Sequence, residues 1–187
     1  MWIYEKRLQY PVNITKTDAR IAKIIATQYG GPDGEIGASM RYLSQRFTAP
    51  NRVCMAVLTD VATEELGHLE MVSTIVHQLT ANLTVEEIEN QGFADYYVDH
   101  AVGIWPQSAG GIPFNSCEFQ SKGDPITDMF ESMAAEQKAR SPSDNILRVV
   151  RDIPEIAAPI RFLRAIEVVQ FQRFGEALQS LQDQLNS

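Results

Sequence analysis

The sequence predicts an all-α protein, a four-helix bundle with one long crossover connection and an extended N-terminal arm. Three observations predict it. Apolar residues recur at helical spacing in long stretches, these stretches form two pairs joined by short breaks, and an irregular region, 80–123, separates the pairs. With 187 residues, 44% of them hydrophobic, the chain is long enough to bury one core, so we expect a single domain over residues 1–187.

The first part of the chain is predicted to hold the arm and an interrupted helix. Residues 2–14 are mixed in character, and Pro11 disfavours helix for the residue before it, so an extended arm is expected. Apolar residues at helical spacing then predict a helix over 18–29. The glycine-rich segment 30–34 interrupts this pattern, and helix resumes over 35–47.

The longest uninterrupted helix is predicted next. Asn51 can cap a stretch that continues without proline to Leu79. Residues 80–123 follow, with five glycines, two prolines and one short helical patch at 84–90. This composition favours an irregular connection between the two helical pairs.

The second helical pair follows this connection. Asp124 is an N-cap candidate followed by proline, and it opens a helix toward Val150. We expect Pro142 to kink or break that helix, because proline removes a backbone donor and crowds the carbonyl four residues earlier. The final helix is predicted over 155–181, with Pro159 as an alternative start.

Charge and cysteine content exclude several function classes. Sixteen basic and twenty-four acidic residues give a net charge of −8, so no nucleic-acid partner is expected. Cys54 and Cys117 have no second thiol at ligand spacing, which argues against disulfides and thiolate zinc sites. No apolar run approaches the length of a membrane span and no signal peptide is evident, so we expect an intracellular protein without a membrane partner.

Polar residues interrupt the apolar seams of two predicted helices. The seam positions, spaced alternately by three and four, are Leu58, Val61, Glu65, His68, Val72, Ile75 and Leu79 in the third helix, and Ile160, Leu163, Glu167, Gln170, Phe174, Ala177 and Leu181 in the last. Glu65 and His68 should therefore point into the core, as should Glu167 and Gln170. Buried groups of this kind need polar or metal partners.

Two more glutamates, Glu35 and Glu136, lie at core-facing positions of the other two predicted helices. Glu35 precedes Glu65 by 30 residues and Glu136 precedes Glu167 by 31. In antiparallel helical hairpins this spacing brings all four carboxylates to the same level along the bundle axis. Four carboxylates cannot share a dry core as anions unless a multiply charged cation compensates them. Oxygen and imidazole ligands without thiolate suit manganese or iron, so a pair of metal ions is predicted.

Other acidic and histidine residues have simpler interpretations. A solvated helix-face role is expected for Glu64, Glu70, Glu86, Glu87 and Glu89, and a surface or loop position for His77 and His100. A core histidine alone, such as His68, is more often structural. Its position three residues after a core glutamate, matched by a second hairpin, favours the metal site.

At these residues the sequence resembles the manganese catalases, and especially their short spore-coat-associated branch. The resemblance covers nearly the whole chain and rests on stretches 28–35 (QYGGPDGE), 41–46 (RYLSQR), 63–70 (TEELGHLE), 122–126 (KGDPI), 134–136 (AAE) and 171–174 (FQRF). It implies a ferritin-like bundle, a homo-oligomer that in the family is a hexamer, and the disproportionation of hydrogen peroxide to water and dioxygen.

The resemblance also implies roles for the site residues. Glu35 and His68 would serve one manganese, Glu65 would bridge two manganese ions, and Glu136 would serve the second. Outside the ligand set, Glu167 would act as an acid and base. Tyr42 would contribute a phenol hydrogen bond near the substrate entry.

Gln170 departs from the family pattern, which has a metal-binding histidine at its place. An amide offers only a weakly basic carbonyl oxygen, so the second manganese site is expected to be weaker. Two alternatives follow: a non-catalytic structural protein of the spore-coat type that keeps the bundle, and ferritin-like iron oxidation with iron in place of manganese. The expected location is the cytoplasm or the spore coat of a spore-forming bacterium.

Overall fold

The computed structural model describes residues 3–5, 7–101 and 103–185. In these residues the chain forms α-helices and short 3-10 turns. The α-helices are α1 (Ala19–Gly30), α2 (Glu35–Gln45), α3 (Arg52–Thr80), α4 (Val85–Asn90), α5 (Ala94–His100), α6 (Pro125–Val150) and α7 (Pro154–Leu185). The predicted all-α bundle with one long crossover is confirmed.

The helix starts follow from local side-chain chemistry. Asp18, Asn51 and Asp124 each accept a hydrogen bond from backbone N–H groups in the first turn of α1, α3 and α6, respectively. These bonds satisfy donors that a helix cannot pair internally. α7 begins at Pro154, earlier than either predicted start, since proline fits the first helical position.

The first bundle helix is split in two. α1 and α2 both pack along α3, while α6 packs mainly on α7 and α3 also contacts α7. The 31–34 segment between α1 and α2 places Glu35 at the start of α2. The break was predicted from its glycines, and it fixes the height at which this carboxylate enters the core.

The N-terminal arm lies along the bundle in extended and bent conformations. Gln78 of α3 holds it at both amide atoms: its Oε1 accepts from the Ile14 N–H at 2.7 Å and its Nε2 donates to the Val12 carbonyl at 3.2 Å. Trp2 and Lys6, which belong to the predicted arm, lie outside the described residues.

The crossover contains more helix than the sequence predicted. α4 matches the predicted patch, but α5 was not expected. Phe93 and Tyr96 of the α5 region are buried against Ile88 of α4 and Ala19 of α1, so tertiary packing stabilises a helix too short to show periodicity. The crossover then passes close to α1, where a Cβ at Gly30 would lie 2.1 Å from the Pro106 carbonyl carbon.

The expected break at Pro142 is wrong. α6 continues as one α-helix through Pro142. An interior proline costs about 3 kcal/mol. Met129, Ile146 and Val150 on either side of it are buried in the core, and their packing maintains the helix.

Two apolar clusters sit at opposite ends of the bundle. One contains the late half of α3 and the early half of α7, and the other contains the early half of α3 and the late half of α7. A polar layer separates them. None of the helices in the described part of the chain is long and apolar enough to cross a membrane.

Candidate metal centre

Each long helix of the bundle contributes buried polar side chains to the layer between the apolar clusters. None of these residues is more than 7% exposed. The polar layer consists of Gln28, Glu35, Glu65, His68, Glu136, Ser143, Glu167 and Gln170. All six metal-ligand and acid/base candidates that the sequence placed in the core lie in it.

Glu35, Glu65 and His68 form the tightest group. Their ligand atoms lie within 4.8 Å of one another, and theirs is the one such group found among the described residues. His68 Nδ1 lies 2.8 Å from Glu65 Oε2 and 3.9 Å from Glu35 Oε2. Two carboxylates and an imidazole nitrogen thus converge where a single cation could contact all three.

Tyr42 and Glu136 form a second contact in the core. The Tyr42 hydroxyl, fully buried, donates to Glu136 Oε1. Burial and the nearby Glu136 carboxylate raise the pKa of this phenol well above its usual value. Tyr42 therefore stays protonated and acts as a permanent donor, which leaves the other Glu136 oxygen for a second partner.

Glu167 is held by a relay of two buried residues. Gln28 Nε2 donates to Ser143 Oγ at 2.7 Å, and Ser143 Oγ donates to Glu167 Oε1 at 2.9 Å. Glu167 Oε2 is buried without a hydrogen-bond partner. One oxygen of this carboxyl is thus fixed and the other is free to hold a proton.

Gln170 is fully buried, and its amide is oriented by a residue outside the polar layer. Its Nε2 donates to Glu64 Oε2 at 3.2 Å, whereas its Oε1 is buried and unpartnered. Glu64 also accepts from Gln9 of the arm at 2.7 Å. The predicted helix-face role of Glu64 is therefore wrong, because its side chain is only 23% exposed and bridges the arm to the core.

The buried carboxyls have strongly perturbed acidities. Burial is the largest cause in every case. It raises the pKa of Glu35 and of Glu65 well above the usual value, with the neighbouring carboxylates as further causes. It raises the pKa of Glu136 to about 8 and that of Glu167 to about 7. The layer therefore binds either protons or cations, since bare anions there are too costly.

The residues present fit a metal site. His68 Nε2, Glu167 Oε2 and Gln170 Oε1 are buried polar atoms without hydrogen-bond partners, and such orphans are rare in folded proteins. Carboxylate, imidazole and amide oxygen donors suit manganese or iron rather than a thiophilic ion. Both observations favour a cation within the layer.

Sequence reasoning missed three residues of this region: Gln28, Ser143 and Glu64. Gln28 lies within a stretch noted for its family resemblance, while Ser143 directly follows Pro142. Each acts through a contact between elements distant in the chain, so no local spacing could indicate it.

Comparison with known proteins gives a consistent result. A family model described as "Manganese containing catalase" matches residues 1–187. The chain is 44% identical to Protein CotJC of Bacillus subtilis over 184 residues, covering 98% of this chain and 96% of that protein. It is 27% identical to a probable manganese catalase of Clostridium acetobutylicum over 186 residues, with 98% and 82% covered. The crystal structure of KatB, a manganese catalase from Anabaena, superposes with a TM-score of 0.88 at 28% identity, covering 97% of this chain and 81% of that one.

Proposed function

This chain belongs to the manganese catalase family, and from that premise we propose that it is a dimanganese catalase that converts two hydrogen peroxide molecules to two water molecules and one dioxygen molecule. The observation that supports this most strongly is the buried group of Glu35, Glu65 and His68. A core does not keep two adjacent carboxyls beside an imidazole for packing alone, since their desolvation is unfavourable.

The proposed ligands divide into two sets that share one residue. Glu35 and His68 would hold one manganese, Glu136 and Gln170 the other, and Glu65 would bridge them. When bound, the metal pair supplies the two-electron exchange that peroxide disproportionation requires. The second set contains an amide in place of an imidazole, so we propose that its manganese is bound more weakly.

Proton transfer falls to Glu167. Its Oε2 is a buried carboxyl oxygen without a hydrogen-bond partner, so it can accept and return a proton, as the reaction needs when the O–O bond of peroxide breaks. Ser143 donates to Glu167 Oε1 and thus keeps Oε2 as the atom that exchanges the proton. Gln28 in turn fixes the Ser143 hydroxyl.

Tyr42 positions Glu136. Its hydroxyl donates to one carboxylate oxygen, which limits rotation of the side chain and favours coordination through the other oxygen. Phe174 packs on the Tyr42 ring with centroids 4.8 Å apart, so the phenol itself is well fixed.

The test is metal analysis beside an oxygen-evolution assay on the protein and on two variants. Glu65→Gln should abolish oxygen release and lower manganese content, because it removes the bridging charge. Glu86→Gln, a change at an exposed position of α4, should alter neither quantity. A wild-type protein with no metal and no oxygen release would contradict the proposal.

A second candidate function is a structural role without catalysis, of the kind expected for a spore-coat protein. Gln170 favours it, because loss of an imidazole ligand should hinder the redox cycle. Iron oxidation is the third candidate and would show as iron uptake without oxygen release. We also propose a homo-oligomer, a hexamer by family resemblance, located in the cytoplasm or in the spore coat.

A further inference from the structure

We propose that Glu64 is a positioning residue that presents the Gln170 carbonyl oxygen to the second metal, and that Gln9 of the N-terminal arm holds Glu64 for this task. The inference rests on the proposed function, because it assigns a ligand atom in the same site. It concerns how a glutamine can serve where an imidazole would be the better donor.

The first step is the orientation of the amide. Gln170 Nε2 donates to Glu64 Oε2 at 3.2 Å, and Gln170 Oε1 is buried with no partner. An amide has one donor end and one acceptor end, so fixing the NH2 group on a carboxylate leaves the oxygen at the opposite side. In the flipped orientation two oxygens would face each other at Glu64, which is repulsive.

The second step is the chemistry of the unpartnered carbonyl end of Gln170. A carbonyl oxygen has lone pairs that bind a hard cation, whereas the NH2 group has only hydrogens to offer. The orientation set by Glu64 is therefore the one that permits metal binding by Gln170. A buried acceptor without a partner is also unfavourable in itself, and a cation would relieve that cost.

The third step is how Glu64 is held. Its other oxygen, Oε1, accepts from Gln9 Nε2 at 2.7 Å, and Arg173 Nη1 of α7 lies 3.8 Å from Oε2. Both carboxylate oxygens are thus engaged, one toward the arm and one toward the core. The arm consequently reaches the polar layer through two hydrogen bonds in series.

The experiment is Mn2+ titration of chelator-treated protein by calorimetry, which needs no catalytic turnover. In Glu64→Leu the second, weaker site should lose affinity by about tenfold or more, as expected when an outer partner of a ligand is removed. The first site should be unchanged. Glu64→Gln keeps an oxygen acceptor and should stay within about threefold of wild type, while Gln9→Ala should weaken the second site by about two- to tenfold.

A double variant separates positioning from a general structural effect. Glu64→Leu should cause no further loss of affinity when Gln170→Ala is already present, because its effect passes through that amide. Equal weakening of both sites by Glu64→Leu, or an undiminished effect in the double variant, would overturn the inference while leaving the proposed function intact. Fewer than two Mn2+ bound by wild type would instead overturn the proposed dimanganese function, and this inference with it.

Discussion

Glu167→Gln should stabilise the metal-free protein while it abolishes oxygen release by the metal-loaded form. Glu167 lies in the core with one oxygen unpartnered, and burial raises its pKa to about 7 from an ordinary value of 4.5. A glutamine of the same shape carries no proton to lose and still accepts from Ser143. The substitution therefore removes a destabilising charge without removing packing.

The sign and size of the effect follow from these two pKa values. Below pH 4.5 the carboxyl is protonated in both the folded and the unfolded chain, so variant and wild type should differ little. Between pH 4.5 and 7 the unfolded chain releases the proton more readily, and wild-type stability falls as pH rises. The full difference, reached above pH 7, is about 3 kcal/mol.

The assay is denaturant unfolding of chelator-treated protein at pH 5 and pH 8. We expect the free energy of unfolding of Glu167→Gln to exceed that of wild type by about 1 kcal/mol or less at pH 5 and by about 3 kcal/mol at pH 8. Glu176→Gln, at an exposed position on the same helix, is the matched control and should change stability by less than about 0.5 kcal/mol at both. A Glu167→Gln difference that does not grow with pH would show that the charge on Glu167 does not destabilise the folded protein.

The remaining predictions concern the second metal site and the crossover. Gln170→His should raise manganese content toward two per chain and increase oxygen release, because imidazole nitrogen is the better donor. The control Gln172→His, at an exposed position two residues away, should do neither. Unchanged metal content in a folded Gln170→His protein would count against Gln170 as a ligand position. Gly30→Ala should destabilise the protein by at least about 1 kcal/mol in thermal unfolding, since its Cβ would lie 2.1 Å from the Pro106 backbone, whereas Gly110→Ala, with only a side-chain atom at 3.8 Å, should be tolerated.

The helical framework could be predicted because its signals are local. Asn51 and Asp124 mark helix starts through bonds to the first turn, and both are observed there. Glu65 and His68 could be placed in the core because they interrupt an otherwise apolar seam, and both are at most 2% exposed. The order of the bundle follows from these signals and from the position of the long connection.

The role of Glu64 and the continuity of α6 at Pro142 depend on tertiary contacts, which no local sequence pattern indicates. Glu64 looks like a surface charge, but its partners Gln9 and Gln170 lie 55 residues before and 106 residues after it. Pro142 was expected to interrupt α6, yet the buried residues on both sides keep the helix continuous. In both cases tertiary packing outweighs the local preference.

We propose that the polar layer holds two manganese ions bridged by Glu65. Anomalous scattering at the manganese edge from crystals of the Mn2+-loaded protein would locate these ions. We expect two peaks on either side of the Glu65 carboxylate, with the weaker one beside Gln170 and Glu136. No peak in the layer, or manganese bound only at surface carboxylates, would contradict it.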